Sequence, residues 1–375
     1  MEAIFGGLRI IAWTISVFFY YFQVPFIEYA GFITAGIAAF MILDIRHIFS
    51  IFKYPKIGLL YMAVFSFCCL NLLYSVSSGT DLSSAFRFFL IVVLLPLCPL
   101  FITKESRFLY KIFSVLSVSK AIMLIVISLL IIIAGSYSEM RLWARLNNYG
   151  DVYFAYQFIP RVQLKGNALL LIAFMISFCK TRKFNVYNSI LLIGIFCAGN
   201  FAFLLGLGIF FVWMYIRSLK YSTIGMKKIF IGGTLFLVAL GFFSYASLEA
   251  NSKSGDFGSN GLRLIQYEIL TDTNVLYGRG LGSVVLGASR LGRSIDEQYY
   301  ELQTLYIYYQ VGAMCLIALY ILILYVMKKS CNSDGFIIFL IYLIYSFFNP
   351  YCFDTTQIIT MMLLSFEFSR NKNKD

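Results

Sequence analysis

Apolar residues recur along this chain in long unbroken runs, and the polar residues gather in the gaps between them. A helix of about 20 apolar residues spans a bilayer core of roughly 30 Å. On that measure twelve runs stand out, at 4–22, 27–43, 57–75, 88–103, 112–135, 166–179, 185–198, 200–216, 229–247, 302–327, 336–350 and 356–369. The seventh and eighth belong to one 32-residue stretch interrupted only by Gly199 and Asn200. A single helix there would be about 48 Å long and would set its flanking basic clusters on opposite sides of the bilayer, so two short helices joined by a tight turn are expected. The pattern predicts an all-α polytopic membrane protein with about twelve transmembrane helices, forming one integral membrane domain over residues 1–375. The first run has no basic region before it and no small-residue cleavage site after it, and it reads as a retained helix. Arg9 inside it is expected to snorkel to the nearby interface.

Composition reinforces the lipid assignment. Of 375 residues, 60% are apolar and 13% charged, against about 45–50% and about 25% in ordinary globular domains. Mean hydropathy is +0.82. A soluble enzyme, a nucleic-acid-binding domain and a disordered linker are excluded, because a chain of this kind cannot cover a water-exposed surface. Six of the eight cysteines (Cys68, Cys69, Cys98, Cys179, Cys197 and Cys315) lie in apolar runs, where free Cys acts as a small hydrophobe. No disulfide framework or metal-ligand spacing is present.

The net charge of +12 would suggest nucleic acid in a soluble protein; in a membrane chain its distribution matters more. With the N-terminus in the cytoplasm, the loops on that side carry 18 cations and the far side 10, and the positive-inside rule then sets both termini as cytoplasmic. The far-side cations are Arg87, Arg141, Arg145, Arg161, Lys165, Lys253, Arg263, Arg279, Arg290 and Arg293, eight of them Arg, whereas thirteen of the cytoplasmic eighteen are Lys. A guanidinium grips phosphate or carboxylate through two parallel hydrogen bonds, which an ammonium cannot do. Decoration of solvated loops would account for any one of these arginines and is a poorer account of eight.

Three external segments are long enough to build a site: 76–87, 136–165 and 248–301. Loops longer than about 15 residues are usually functional or disordered, and the two longest here carry aromatic and apolar residues that disorder disfavours. Residues 258–270 (GSNGLRLIQYEIL) place apolar side chains at 262, 265, 269 and 270 and predict a short interfacial helix, with Arg263 and Tyr267 one turn apart on a shared face. Next come Gly278, Gly280 and Gly282 alternating around Arg279. No parallel strand precedes them, so this is not a nucleotide fingerprint; the expectation is a backbone permissive enough for its N–H groups to approach an anion. Asp296, Glu297 and Glu301 lead into the tenth run. A partly dehydrated carboxylate is a candidate general base, and Glu301, nearest the membrane, is the strongest. Asp296 and Glu297 read rather as solvated partners of Arg290 and Arg293. Histidine catalysis is not expected, since the one His is His47 in a cytoplasmic loop. Lys120, in the fifth run, is expected to snorkel from about two turns inside its cytoplasmic end.

About twelve spans, a long external loop in the C-terminal third, and the order Arg263, YGRGLGS, ELQTLYIYYQVG, with PRVQLKGN entering the sixth span, resemble the Wzy-type O-antigen polymerases and the related O-antigen ligases. The resemblance implies a GT-C-like enzyme of the bacterial inner membrane with short helices in its periplasmic loops. Its substrates would be oligosaccharide repeat units on undecaprenyl pyrophosphate, with transfer of the growing glycan to a new unit at the periplasmic face. It implies Arg161, Arg263 and Arg279 as charge-neutralising catalytic residues beside Glu301. Arg87, Arg141, Arg145, Tyr267, Arg290, Arg293 and Glu297 are expected to hold pyrophosphate or glycan. No metal and no cofactor are expected. Membrane lipids, a flippase and a chain-length regulator of the same pathway are the expected partners, and nucleic acid is not. Two departures matter. Ligases tend to carry His where this chain has Glu301, which favours polymerase. Many relatives have a Ser-Arg pair at the turn where this chain reads AGNFAF, so that arginine's role is either absent or filled by another residue, with Arg87 as the candidate. An O-antigen ligase, a lipid-linked oligosaccharide flippase and an assembly scaffold are the alternatives.

Overall fold

A computed structural model describes residues 2–43, 49, 51–101, 105–156, 159–221, 241, 259–271, 276–284, 300, 302–347 and 349–369. The ninth predicted run, 229–247, lies outside these apart from residue 241. The other eleven runs fall on helices. They are α1 (Glu2–Tyr21), α2 (Gly31–Ile42), α3 (Pro55–Ser77), α4 (Leu82–Leu94) with a 3-10 extension Leu95–Leu100, α5 (Ser106–Ala134), α7 (Leu169–Thr181), α8 (Val186–Ala198), α9 (Phe201–Tyr221), α11 (Gln303–Ser330), α12 (Ser333–Phe347) and α13 (Thr355–Glu367). Two further helices, α6 (Tyr137–Leu146) and α10 (Ser259–Thr271), lie in the predicted external segments.

Among the described residues, five helices are long and apolar enough to cross a membrane: Ile4–Tyr21, Pro55–Ser77, Leu82–Leu100, Ser106–Ala134 and Gln303–Ser330. A sixth crossing results if Gln23–Tyr29 and Gly31–Ile42, bent by 73° at their junction, count as one. Leu169–Thr181, Val186–Ala198, Phe201–Arg217 and Ser333–Phe347 are shorter apolar helices. The chain is thus a predominantly helical membrane protein. The predicted tight turn at Gly199 is present, with Gly199 at φ +58° ending α8 in the left-handed region.

The expectation of helix alone is corrected at 136–165. After α6 the chain forms an antiparallel hairpin, β1 (Gly150–Tyr156) and β2 (Ile159–Leu164), with Val152 opposite Val162 and Tyr153 opposite Arg161. The cause is visible in DVYFAYQFIPRVQL, where β-branched and aromatic residues suit a pleated half-buried surface. Val152, Val162 and Leu164 are buried along it.

The chain packs as two compact units. The first comprises Met1–Leu43, Glu105–Gly255 and Leu340–Tyr345. Its centre is α7, buried continuously over 169–179. Without a hydrophobic drive between helices in lipid, polar links and small residues hold them together. The Trp13 indole N–H donates to the Leu109 carbonyl at 3.1 Å, and the hydroxyls of Tyr21 and Ser117 share a 2.7 Å bond. The Arg9 guanidinium pairs with Glu105, at the start of α5, at 3.0 Å. The second unit comprises Asp44–Lys104, Asp256–Phe339 and Ser346–Asp375 and contains α3, α4, α10, α11 and α13.

Candidate functional site at the Gly-rich run

The second unit is organised around a break in α11, where Gly312 takes φ 78° and ψ 168°. A break of this kind frees backbone groups that lipid cannot satisfy, and here the glycine-rich run supplies the partners. The Arg279 and Gly280 amides donate to the carbonyls of Tyr309 and Gln310 at 2.9 and 3.1 Å. Asn71 of α3 donates to the Gln310 carbonyl at 3.2 Å and accepts from the Leu281 amide at 2.7 Å. The Gly282 amide donates to the Gln310 side-chain carbonyl at 3.3 Å, and the Tyr306 hydroxyl donates to the Ser283 carbonyl at 2.9 Å. The glycines are required by contact as well as by conformation. At Gly278, φ +88°, an added Cβ would lie 2.1 Å from the Gln310 carbonyl oxygen. These bonds correct the expectation of an amide cradle for an anion, because the amides of Arg279, Gly280, Leu281 and Gly282 are committed to the protein. What the run offers is the side chain of Arg279, exposed on a locked backbone.

Two aspartates cap helices at this end of the unit, with opposite titration. Asp81 caps α4, accepting from the Ser84 amide at 2.9 Å and hydroxyl at 2.7 Å. The Ser84 hydroxyl, then its amide, hold this exposed carboxyl below the ordinary range. Asp354 caps α13, accepting from the Thr356 hydroxyl at 2.7 Å and the Gln357 amide at 3.0 Å. Burial outweighs those bonds and the nearby Arg87 charge, and pushes the Asp354 carboxyl up to about 6. Desolvation against hydrogen bonding decides the sign in each. Arg87, the exposed arginine on α4, therefore faces Asp354 electrostatically, and Tyr306 as well. Its guanidinium carbon lies 5.9 Å from the Phe88 ring centroid, and Phe88 meets Tyr306 edge-on at 5.5 Å. Tyr300 stacks on Tyr306 at 4.0 Å.

The predicted interfacial helix is α10. Gln266 and Leu270 form its buried side, and the Gln266 side-chain carbonyl accepts from the Leu302 amide at 3.3 Å. Arg263, three residues before Gln266, is half-buried; Tyr267 is 53% exposed, so the two differ more in surroundings than a shared face predicts.

In the first unit, Arg161 lies across the turn between α8 and α9: a Cβ at Gly199 would be 2.5 Å from its Cγ. Arg161 thus packs against the turn between α8 and α9. Arg141 and Arg145 both bind Asp151, through Nε at 3.3 and 2.8 Å, and Arg141 stands 5.5 Å over the Tyr153 ring. Lys120 corrects its expectation. Because α5 begins at Ser106, Lys120 sits near the middle of a 29-residue helix, fully buried, with Nζ donating to the Lys165 carbonyl at 2.9 Å.

Arg290, Arg293, Asp296, Glu297 and Glu301 lie outside the described residues. Three residues escaped the sequence reading. Asn71 and Gln310 were lone polar side chains inside apolar runs, and Asp354 opens DTTQ, a helix-start pattern of an acidic cap with Gln three residues on. No protein-family model, curated protein or solved structure matches the chain.

Proposed function

We propose that the protein polymerises undecaprenyl-pyrophosphate-linked oligosaccharide repeat units, acting as a metal-independent glycosyltransferase at the periplasmic face of a bacterial inner membrane. The observation that carries this reading is the exposed Arg279 side chain on a backbone fixed by main-chain bonds in a helical unit of a membrane protein. A lipid diphosphate needs a cation to receive it, and a departing pyrophosphate develops charge that a guanidinium's fork of donors stabilises. In the reaction an acceptor sugar hydroxyl attacks the anomeric carbon of the growing chain, and the pyrophosphate leaves on its lipid. Lipid-linked glycans, membrane lipids, and the pathway's flippase and chain-length regulator are its partners on this reading.

A ligase would use the same donor and a lipid A core acceptor. A deletion strain separates the two: loss of a polymerase leaves core bearing single repeats, while loss of a ligase accumulates lipid-linked polymer. Complementation with Arg279→Ala or Arg263→Ala should restore membrane protein and no polymer. A normal polysaccharide ladder from both variants would remove these residues from the site.

A further inference from the structure

In the first unit, α5, α7 and α8 border a cavity of about 280 Å³. α5 contributes Tyr110 and Ser114 to its lining, the last turn of α7 contributes Ser177, Lys180 and Thr181, and α8 contributes Tyr187. Among the described residues every lining side chain is polar, one is a lysine and none is a carboxylate. The hydroxyls of Tyr110, Ser114 and Tyr187 meet there. The Thr181 hydroxyl donates to the Ser177 carbonyl at 3.0 Å and accepts from the Asn188 side-chain amide at 3.1 Å. The Lys180 ammonium stands 4.2 Å from the Tyr110 ring centroid, a cation–π contact that sets the charge among these hydroxyls. The cavity lies at a basic end of the unit, where α7 ends and Arg182 and Lys183 follow, both exposed. Val115, Phe184 and Val186, each next in the chain to a lining residue, are exposed as well.

We propose, independently of the transfer reaction, that this cavity holds the headgroup of an anionic phospholipid. Its phosphate diester would accept from the Lys180 ammonium and the lining hydroxyls, and its acyl chains would run along Val115, Phe184 and Val186. An ammonium and hydroxyls are donors that a phosphate diester can use together. A lining with one cation and no carboxylate favours an anionic lipid over a zwitterionic one, whose own ammonium would meet Lys180 with like charge. Small-molecule sites start at roughly 300 Å³, so the space suits a headgroup and is too small for an oligosaccharide repeat unit. The exposed apolar flank distinguishes a lipid from free phosphate, because acyl chains cover it and an inorganic ion leaves it bare.

Purified full-length protein in neutral detergent is titrated with phosphatidylglycerol, phosphatidylcholine or inorganic phosphate, and bound lipid is counted by native mass spectrometry. The expected result is one phosphatidylglycerol held at least about tenfold more tightly than phosphatidylcholine and not displaced by excess inorganic phosphate. Lys180→Gln should weaken it by about tenfold or more, the loss of one charged hydrogen bond, and Lys180→Arg should restore it to within about threefold. Ser114→Leu, which fills the cavity and keeps the charge, should weaken it too. Lys328→Gln, at an exposed cation ending α11, should bind as wild type does. Equal binding of the two lipids overturns the proposal, as do equal losses in Lys180→Gln and Lys328→Gln, which would mean general attraction to charge. Displacement by inorganic phosphate overturns the lipid as occupant. If Ser114→Leu does not fold, the comparison of Lys180→Gln with Lys328→Gln decides alone.

Discussion

The amide of Arg279 donates to the carbonyl of Tyr309 at 2.9 Å, so the backbone that carries this exposed side chain is anchored by main chain. The root of the charge is therefore as stable as the crossing of the glycine-rich run over the break in α11.

That crossing makes Gly278 intolerant of any side chain. Gly278→Ala should cost about 2–4 kcal/mol, from left-handed backbone strain of about 1–2 and overpacking of about 1–3 kcal/mol. Gly79 is the control: its φ of +78° is similar, but an added Cβ meets nothing within 4 Å, so Gly79→Ala should show the backbone strain alone. Thermal unfolding in detergent reads the difference, and equal losses would mean that the crossing is not close-packed.

Arg279→Lys keeps the charge and loses the fork. It should extend glycan roughly tenfold to a hundredfold more slowly, the equivalent of a charged hydrogen bond worth about 1.5–3 kcal/mol, with thermal stability unchanged. Full activity would show that a point charge suffices and that pyrophosphate is not gripped bidentately.

Arg145 is 52% exposed and bound to Asp151, which accounts for it without substrate. Arg145→Ala should lower stability by less than about 1 kcal/mol, as exposed pairs do, and change extension by less than about threefold. Abolished extension at normal expression would return it to the substrate site.

Lys120→Met removes the donor to the Lys165 carbonyl. Loss of such a bond costs about 0.5–1.5 kcal/mol, and Lys165 lies just beyond β2, so limited proteolysis should cut the hairpin region faster than in wild type. Unchanged proteolysis would show that this bond does not hold the hairpin.

Asp354 also predicts a pH dependence of stability. Its folded value of about 6 lies above the ordinary 3.8, so between these values the folded chain binds more protons than the unfolded one, and stability falls as pH rises through the window. Asp354→Asn should remove that slope. A wild type and variant with parallel profiles would show that the carboxyl is not desolvated.

Much of this was legible in the chain. Run length located eleven helices, and the glycine at 199 located the turn between α8 and α9, because hydrophobic period and positive φ are local properties. The sequence marked Arg279 but not how its run is held, since the partners Asn71 and Gln310 lie 208 and 31 positions away along the chain and nothing local pairs them. Lys120 was misread because the helix starts at Ser106, six residues before the apolar run, which moves the residue to the middle of its helix. Asp354 was not singled out, because the burial that raises its carboxyl is a tertiary property with no local signal. The β hairpin was hidden by the expectation that a membrane chain is helical throughout.

The most direct test of the central claim is photo-crosslinking from position 279. A photoreactive residue there, in full-length protein in liposomes with a radiolabelled undecaprenyl-pyrophosphate repeat unit, should capture the label, and excess unlabelled undecaprenyl pyrophosphate should compete it away. Labelling that is absent, or indifferent to that competitor, would mean that no diphosphate lipid docks at Arg279.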